Sequence, residues 1–289
     1  MRVSQELLAE LKAAMPAVRP IEIVDVGASN ISKEIPSYDL LLGSRLARLT
    51  AFEPNPAEFS RLVSDDARRY LPFAIGAGGK ADLNITVSPG FCSTLRPNDQ
   101  INTLMQSFAE LSIVTSQQTI ETCRLDDLAE VERIDFLKID IQGGELAAFD
   151  GGRRKLAGAL CVQTEVAFIP IYESQPLFAE QDAVLRSLGL SFFGMKSVNK
   201  FPYQGTPNAL RRPCRRADLG QWVDGDAVYI RDFSCWEDAD TEDLRNLFFI
   251  LLLSFNAMSA VLRLGGILGK RGLIAPNLVQ KIQSEYLAR

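Results

Sequence analysis

Histidine is absent from this chain of 289 residues. Without imidazole there is no Ser-His-Asp triad, no histidine proton shuttle and no metal site that depends on histidine ligands. Cysteine is scarce, because the five cysteines are scattered and none forms a C-x-x-C pair. The sequence therefore predicts neither a disulfide framework nor a zinc site, and it favours a reducing, cytoplasmic location.

Excess positive charge is missing as well. Lysine and arginine number 31 against 36 aspartates and glutamates, which leaves a net charge of -5. This balance argues against a protein that binds nucleic acid through a broad basic surface. No spaced cluster of carboxylates predicts a metal site. Because Glu6, Glu10 and Lys12 interrupt the first apolar stretch, residues 1–15 are expected to form a short amphipathic helix rather than a secretory signal.

The chain does contain a series of apolar runs with an acidic residue near their ends. The first two are Ile21–Val26 and Arg48–Glu53, and the strongest is Ile134–Ile141. Further predicted strands are Leu71–Ile75, Ala81–Val87, Cys161–Phe168, Leu190–Val198 and Ala227–Asp232, the last two as an edge hairpin. Alternation with helices at Ala57–Asp65 and Phe178–Leu188 predicts an α/β, mainly parallel, doubly wound sheet. In such sheets ligands bind beyond the carboxyl ends of the strands.

One segment interrupts this alternation. Ser88–Thr119 has no clear period and is rich in Ser, Thr, Asn, Gly and Pro, so it is predicted to be a long loop or lid with a short helical piece near Leu104–Leu111. Long loops over α/β sheets often shape substrate sites.

The character of the chain changes after Thr241. A strongly apolar helix is predicted over Leu244–Leu262, then a break at Gly265 and Gly266 and a final helix from Pro276. We therefore expect a Rossmann-like domain over residues 1–240 and a C-terminal helical extension over 241–289. The apolar helix is too short and too often interrupted to span a bilayer. It is expected to pack on the domain or at a homodimer interface, with peripheral membrane contact as the alternative.

Three positions at the predicted strand ends are candidates for ligand binding. A strand followed by Gly27 lets the backbone approach a ligand, although such turns also serve ordinary packing. Glu53 lies where a carboxylate accepts hydrogen bonds from the ribose of an adenosine cofactor; alternatively, the dipole of the next helix stabilises its charge. Lys138 and Asp140 lie on an otherwise buried strand, so they must face the pocket or form a structural ion pair.

Three segments resemble the FkbM-type methyltransferases. They are VDVGASN at residues 24–30, FEPNP at 52–56 and FLKIDIQGGE at 136–145. Their order and spacing are similar too, and the resemblance extends over about residues 20–232. It implies a seven-stranded Rossmann-like methyltransferase sheet with one antiparallel strand, S-adenosylmethionine as the cofactor, and O-methylation of a sugar, polysaccharide or secondary metabolite.

The resemblance also implies roles for individual positions. The residues expected at the cofactor are Asp25, Gly27, Ala28, Asn30, Glu53, Pro54, Asn55, Ile75 and Asp140. Among them, Glu53 would bind the ribose and Ile75 the adenine. The residues expected at the reaction are Asp140, Glu145 and Glu165. The chain departs from the family at Gln142, where members commonly carry Glu, and at residues 31–33, where they carry a second Gly or an aromatic turn.

A hydroxyl acceptor must lose a proton, and without histidine the candidate bases are Asp140, Glu145, Glu165 and Lys138, of which Asp140 is favoured. Two rival functions stay open. A nicotinamide-dependent oxidoreductase would also use an acid after the second strand, but the G-x-G-x-x-G motif is missing. A catalytically idle domain with this fold would serve as an interaction module. If the protein is a methyltransferase, its expected partner is a small-molecule or glycan acceptor.

Overall fold

A computed structural model of the chain describes residues 3–28, 35–211 and 220–288. Within them, one sheet has seven strands in the order β3-β2-β1-β7-β8-β10-β9. These are β1 (Ile21–Val26), β2 (Ala47–Phe52), β3 (Arg68–Leu71), β7 (Phe136–Ile139), β8 (Cys161–Ala167), β9 (Leu190–Lys200) and β10 (Trp222–Arg231). Only β10 runs antiparallel to its neighbours among the pairs that the structure describes. The predicted fold class is therefore confirmed.

The order of the strands places the site. β1 is paired with both β2 and β7, so the carboxyl ends of these three parallel strands meet at one edge of the sheet. The strands are apolar on both faces because helices cover both, as parallel sheets require. On one face lie Val24, Leu137 and Val162; on the other, Ile23 and Phe136. The hairpin partner β10 lies inside the sheet, and β9 forms its edge.

Helices connect the strands and cover the sheet. They are α1 (Gln5–Ala14), α2 (Asp39–Gly43), α3 (Pro56–Phe59), α4 (Asp99–Asn102), α5 (Phe108–Leu111), α6 (Glu145–Asp150), α7 (Arg153–Leu156), α8 (Phe178–Ser187), α9 (Thr241–Ile250), α10 (Met258–Lys270) and α11 (Pro276–Leu287). The predicted helix over Ala57–Asp65 is wrong in length, because α3 ends at Phe59. None of its residues is buried, so no packing supports a longer helix.

The predicted loop over Ser88–Thr119 is wrong at its end. Strand β6 (Val114–Cys123) begins inside it and pairs with β5 (Gly79–Thr86) and β4 (Ala74–Ile75) in a second sheet of three strands among the described residues. The preceding part of the loop builds a small apolar cap, whose buried members are Met105, Phe108, Ile171, Tyr172 and Val223. This cap joins the loop to the segments that follow β8 and begin β10. It therefore lies beside the carboxyl end of β8.

The predicted apolar helix over Leu244–Leu262 is not continuous. α9 passes into a π-helical turn at Leu251–Phe255, and Asn256 ends that turn in the left-handed conformation with φ of 50°. The break predicted at Gly265 and Gly266 is also wrong, because both lie inside α10. A Cβ on Gly265 would lie 3.3 Å from Val279 and 3.6 Å from Phe248. Close packing between helices thus explains the glycine at position 265, although glycine commonly marks the end of a helix.

The apolar residues of this C-terminal region are covered within the chain. Leu244, Phe248 and Leu252 are at most 1% exposed and belong to one core cluster with Ile23 and Phe136 of the sheet. A dimer is therefore not needed to cover them, and the homodimer stays a prediction. Among the described residues, no helix is long and apolar enough to cross a membrane.

The first and the last helix are joined. Ser4, the N-cap of α1, donates from its backbone N–H to Glu285 of α11 at 3.0 Å, and its hydroxyl donates to the same carboxylate at 2.5 Å. Lys281 of α11 donates to Glu10 of α1 at 2.8 Å. Together α1 and α9–α11 cover the face of the sheet that carries Ile23 and Phe136.

Candidate active site

The turn after β1 packs against the end of β7. Gly27 has φ of +84°, and a Cβ there would lie 2.2 Å from the backbone oxygen of Asp140. The N–H groups of Gly27 and Ala28 both donate to the Phe52 carbonyl at 3.1 Å. Packing of the chain thus requires glycine at position 27. The sequence allows this explanation as well as a close approach of the backbone to a ligand. The remainder of this turn, including Asn30, lies outside the described residues.

A polar row crosses three strands beneath this turn. Asp25 on β1, Lys138 on β7 and Gln163 on β8 are register neighbours. Asp25 is 3% exposed; its Oδ2 accepts from the Tyr38 hydroxyl at 2.5 Å, and its Oδ1 has no hydrogen bond but lies 3.4 Å from Lys138 Nζ. Ser37 donates to Gln163 at 2.6 Å. The buried carboxylate of Asp25 is thus paired with the Lys138 ammonium group and accepts a hydrogen bond from the Tyr38 hydroxyl.

The same row settles the state of Lys138. Burial alone lowers the pKa of Lys138, but the nearby charges of Asp25 and Asp140 outweigh it, and the net shift is upward. The pKa of Tyr38 is also raised, by burial and by Asp25. Lys138 is therefore a fixed ammonium group, and the structure does not favour it as a base.

Glu53 lies at the end of β2 and is 5% exposed. Its Oε1 accepts from the Asn55 backbone N–H at 2.8 Å, and no partner is found for Oε2 in the described part of the chain. Burial raises the pKa of Glu53, against the opposing effect of the Asn55 N–H. Asn55 itself caps α3 by accepting from Ala57 N–H at 2.9 Å. Pro54 and Asn55 are exposed.

Ile75 lies in the apolar cluster that also contains Val26 and Phe52. Several residues were expected at the cofactor. Those that the structure describes lie at the ends of adjoining strands or in the apolar cluster around Phe52 and Ile75. Ile75 is buried there by protein atoms.

Asp140 and Glu165 are brought together by Gln142. The amide nitrogen of Gln142 lies 3.1 Å from Asp140 Oδ1, and 3.1 and 3.0 Å from the two carboxyl oxygens of Glu165. Tyr172 donates its hydroxyl to the amide oxygen of Gln142 at 3.0 Å. Burial raises the pKa of Glu165 well above its usual range, and the charges of Asp140, Glu145 and Asp224 act in the same direction. The Gln142 amide opposes that shift.

Glu145, by contrast, faces its own loop. It is 1% exposed, and its oxygens accept from the backbone N–H groups of Ile141 at 2.9 Å and Gly143 at 3.0 Å. Burial raises the pKa of Glu145 to about 7, against the effect of these N–H groups. The geometry assigns Glu145 to holding the loop. The expected role of Glu145 at the reaction stays a prediction.

The antiparallel strand β10 adds carboxylates that sequence reasoning missed. Asp226 is the register partner of Glu165, and Asp224 lies two residues away on the same face. Burial raises the pKa of Asp224 to about 6, although Asn199 donates to it at 2.5 Å. Tyr172 was also missed. The only sequence signal for it is an aromatic residue shortly after β8, and the signal for Asp224 is an acid on the strand that pairs with Glu165.

A groove of about 650 Å³ lies elsewhere, at the amino ends of β1 and β2, lined in part by Glu22, Arg48 and Arg133. This groove lies at the amino ends of the strands, whereas Glu53 and Asp140 follow the carboxyl ends of β2 and β7. In the described ranges no group of three or more Cys, Asp or Glu side chains is arranged to hold a metal ion. The side chains that the structure brings together at the site are carboxyl groups, tyrosines and Gln142.

The sequence itself decides the family. Residues 25–192 match the family model of the methyltransferase FkbM domain, which is more than half of the chain. The chain belongs to the FkbM methyltransferase domain family. The match includes Asp25, Glu53, Asp140 and Glu165. The resemblance inferred from the three motifs is therefore confirmed.

Solved structures resemble the protein at low sequence identity. Magnesium protoporphyrin IX methyltransferase from Synechocystis PCC 6803, with bound SAM, is 10% identical over 78% of this chain and 77% of its own, with a TM-score of 0.38. The FkbM methyltransferase from Methylobacillus flagellatus KT is 15% identical over 73% of this chain and 43% of its own, with a TM-score of 0.38. The family assignment rests on the sequence match. Among curated proteins, none matches the chain.

Proposed function

We propose that this protein transfers a methyl group from S-adenosylmethionine to a hydroxyl group of a sugar, a polysaccharide or a secondary metabolite. The family supplies the methyltransferase class. The observation that carries the proposal is that carboxylates follow neighbouring parallel strands on the side of the sheet where their carboxyl ends lie, with the buried Glu53 after β2 and the half-buried Asp140 after β7. Ligands of doubly wound sheets bind at this edge.

The residues present fit the cofactor. Glu53 Oε2, without a partner among the residues described, suits ribose hydroxyls, and Oε1 is already fixed by Asn55. The resemblance places Asp25 at the methionyl part, where its buried Oδ1 lacks a hydrogen bond and lies 3.4 Å from Lys138 Nζ. The apolar cluster around Phe52 and Ile75 suits the adenine ring. When bound, S-adenosylmethionine supplies an electrophilic methyl carbon whose bond to sulfur breaks with its electron pair left on the sulfur.

The protein's own part is alignment and proton removal. Holding the hydroxyl in line converts a bimolecular step into an effectively unimolecular one. Asp140 is the proposed base, because its Oδ2 has no partner within the described ranges while its Oδ1 is held by Gln142. Hydroxyl groups donate well to carboxylates, so the acids of β8 and β10 suit a polyhydroxylated acceptor.

The decisive experiment has two stages. Calorimetry with S-adenosylhomocysteine and with NAD tests the cofactor, and we expect binding of the first alone. Binding of NAD alone would select an oxidoreductase, and binding of neither would favour an idle interaction domain. Mass spectrometry of sugars, glycans and phenolic metabolites incubated with protein and methyl-labelled S-adenosylmethionine then identifies the acceptor. A label on nitrogen or carbon instead of oxygen would contradict O-methylation.

A further inference from the structure

One neutral amide joins two carboxyl groups at the edge of the sheet. Gln142 Nε2 lies within 3.1 Å of one Asp140 oxygen and of both Glu165 oxygens. Its two hydrogens therefore serve three acceptor atoms. Two carboxylates held this close would repel each other strongly without a donor between them. The amide both links them and reduces that repulsion.

The orientation of the amide is determined by its neighbours. The NH₂ group faces the oxygens of Asp140 and Glu165, to which it donates. The amide oxygen then faces Tyr172, whose hydroxyl donates to it at 3.0 Å. Tyr172 is fully buried, and burial raises the pKa of its hydroxyl, which therefore keeps its proton. Tyr172 thus prevents the amide from turning over.

The backbone of Gln142 is held in an unusual conformation. Its φ is +56°, in the left-handed region that residues with a side chain adopt only with strain. Glu145 accepts from the N–H groups on either side of it, at Ile141 and Gly143. Ser93 from the loop before β6 donates to the Gln142 carbonyl at 2.6 Å. A strained residue held from several sides is typical of a functional position.

We propose that Gln142 and Tyr172 are positioning residues, which hold Asp140 and Glu165 as a bridged acid pair with Asp140 Oδ2 directed to the acceptor. The inference rests on the proposed function. The hydroxyl proton moves to Asp140 Oδ2, and the electron pair of the O–H bond stays on the oxygen that takes the methyl group. Gln142 binds Asp140 Oδ1 and leaves Oδ2 free for the acceptor.

Several groups contribute to the electrostatics of the pair. The charged or titratable side chains that face it are Lys138 on β7, Glu145 on α6, Tyr172 after β8, Asp224 and Asp226 on β10, and Cys92 beside Tyr172. Three of these six are carboxyl groups, and two of them, Glu145 and Asp224, favour the protonated form of Glu165. The Gln142 amide is the neutral donor that favours the ionised form.

The test is a carboxyl ¹³C NMR titration of the protein without cofactor, in wild type, Gln142→Leu and Tyr172→Phe. Loss of the amide donor removes stabilisation of the ionised carboxyl, so the midpoint of Glu165 should shift upward in Gln142→Leu. In Tyr172→Phe it should shift in the same direction by less. Gln118→Glu, a change on the exposed strand β6, is the control and should leave the Glu165 midpoint unchanged. An unchanged Glu165 midpoint in Gln142→Leu would overturn the proposal.

Gln142→Glu gives a second, independent readout. A protonated glutamic acid can still donate one hydrogen, whereas an ionised one adds a third negative group. Its loss of Tm relative to wild type should be small at pH 5 and larger at pH 8. Gln142→Leu removes the donor without adding a charge, so its loss should exceed that of Gln142→Glu at pH 5 and fall below it at pH 8. Equal losses for Gln142→Glu at both values would count against the bridge. These measurements need no cofactor, so failure to bind S-adenosylhomocysteine would sink the proposed function and leave this result standing.

Discussion

The backbone oxygen of Asp140 occupies the space in which a side chain on Gly27 would begin. A Cβ there would lie 2.2 Å from that oxygen, and Gly27 also has φ of +84°. The turn after β1 and the end of β7 are thus fitted to each other. Because both carry residues of the proposed site, any change that separates them should disturb the cofactor and acceptor ends together.

Gly27→Ala should therefore destabilise the protein by roughly 2–5 kcal/mol, the sum of the left-handed backbone and the forced displacement. Gly79 is a matched control, because it has the same φ of +84° and nothing within 4 Å of an added Cβ. Gly79→Ala should cost only about 1–2 kcal/mol. Urea unfolding of both variants measures the difference. Equal losses would mean that the contact with Asp140 is unimportant.

Glu53→Gln should weaken S-adenosylhomocysteine binding by about 10- to 100-fold, because a hydrogen bond to a charged group contributes about 1.5–3 kcal/mol. Burial raises the pKa of Glu53, so wild-type affinity should also fall as the pH is lowered through that raised value. Calorimetry across pH checks both effects. Glu110→Gln, on the exposed surface of α5, should bind as wild type does; an equal loss there would indicate a general charge effect.

Asp140→Asn should retain S-adenosylhomocysteine binding and lose turnover by about 10²–10⁴-fold, the usual contribution of a general base. Asparagine keeps the shape and still accepts a hydrogen bond from Gln142, but it does not take up the hydroxyl proton. The assay is methyl transfer to the acceptor found by the labelling experiment. Full turnover in this variant would show that Asp140 is not the base.

Stability should depend on the ionisation of Asp224. Burial raises its pKa to about 6, whereas an unfolded aspartate has a pKa of about 3.9. The folded protein therefore binds this proton more tightly, and its stabilising contribution is fully present below about pH 4 and lost as the pH rises through about 6. Asp224→Asn should be more stable than wild type at pH 8 by roughly 1–3 kcal/mol and show no gain at pH 4.

Thermal unfolding at the two pH values measures this effect. Asp66→Asn, a change at an exposed aspartate, should show no such dependence on pH. A gain for Asp224→Asn that is equal at pH 4 and pH 8 would arise from something other than the carboxyl proton.

A chain that ends at residue 240 should not fold independently. Removal of α9–α11 exposes Ile23, Leu49 and Phe136, which share a core cluster with Phe248. Apolar surface of that extent promotes aggregation. Size-exclusion chromatography and binding of a hydrophobic dye should report an aggregated or loosely packed product. A soluble monomer with a cooperative melting transition would instead support 1–240 as a separate domain.

Sequence reasoning located the strands that carry the site. β1 was predicted over its observed range, Ile21–Val26, because an apolar run and a glycine turn are both local signals. The acids Glu53 and Asp140 were predictable for the same reason, since each follows such a run. Local patterns were sufficient wherever the structure depends on neighbouring residues in the chain.

What sequence reasoning missed depends on contacts between distant segments. Gly265 suggests a helix end, but it lies inside α10, where Val279 of α11 and Phe248 of α9 pack against it. Asp224 reaches the site only through the antiparallel register of β10 with β8. Gln142 was noticed as a departure from the family, yet its position between Asp140 and Glu165 follows from a left-handed φ that no periodicity indicates. Tertiary packing decides each of these cases.

The link between Ser4 and Glu285 bears on how the chain folds during synthesis. α1 leaves the ribosome before any strand of the sheet, and its partner α11 follows all of them. Until then one face of the sheet, with Ile23 and Phe136, has no complete cover. A nascent chain should thus pass through a stage with a formed sheet and one open apolar face, at which a chaperone that holds unfolded chains would bind. α1, which precedes the strands in the chain, should therefore complete its packing only after α11 has been made.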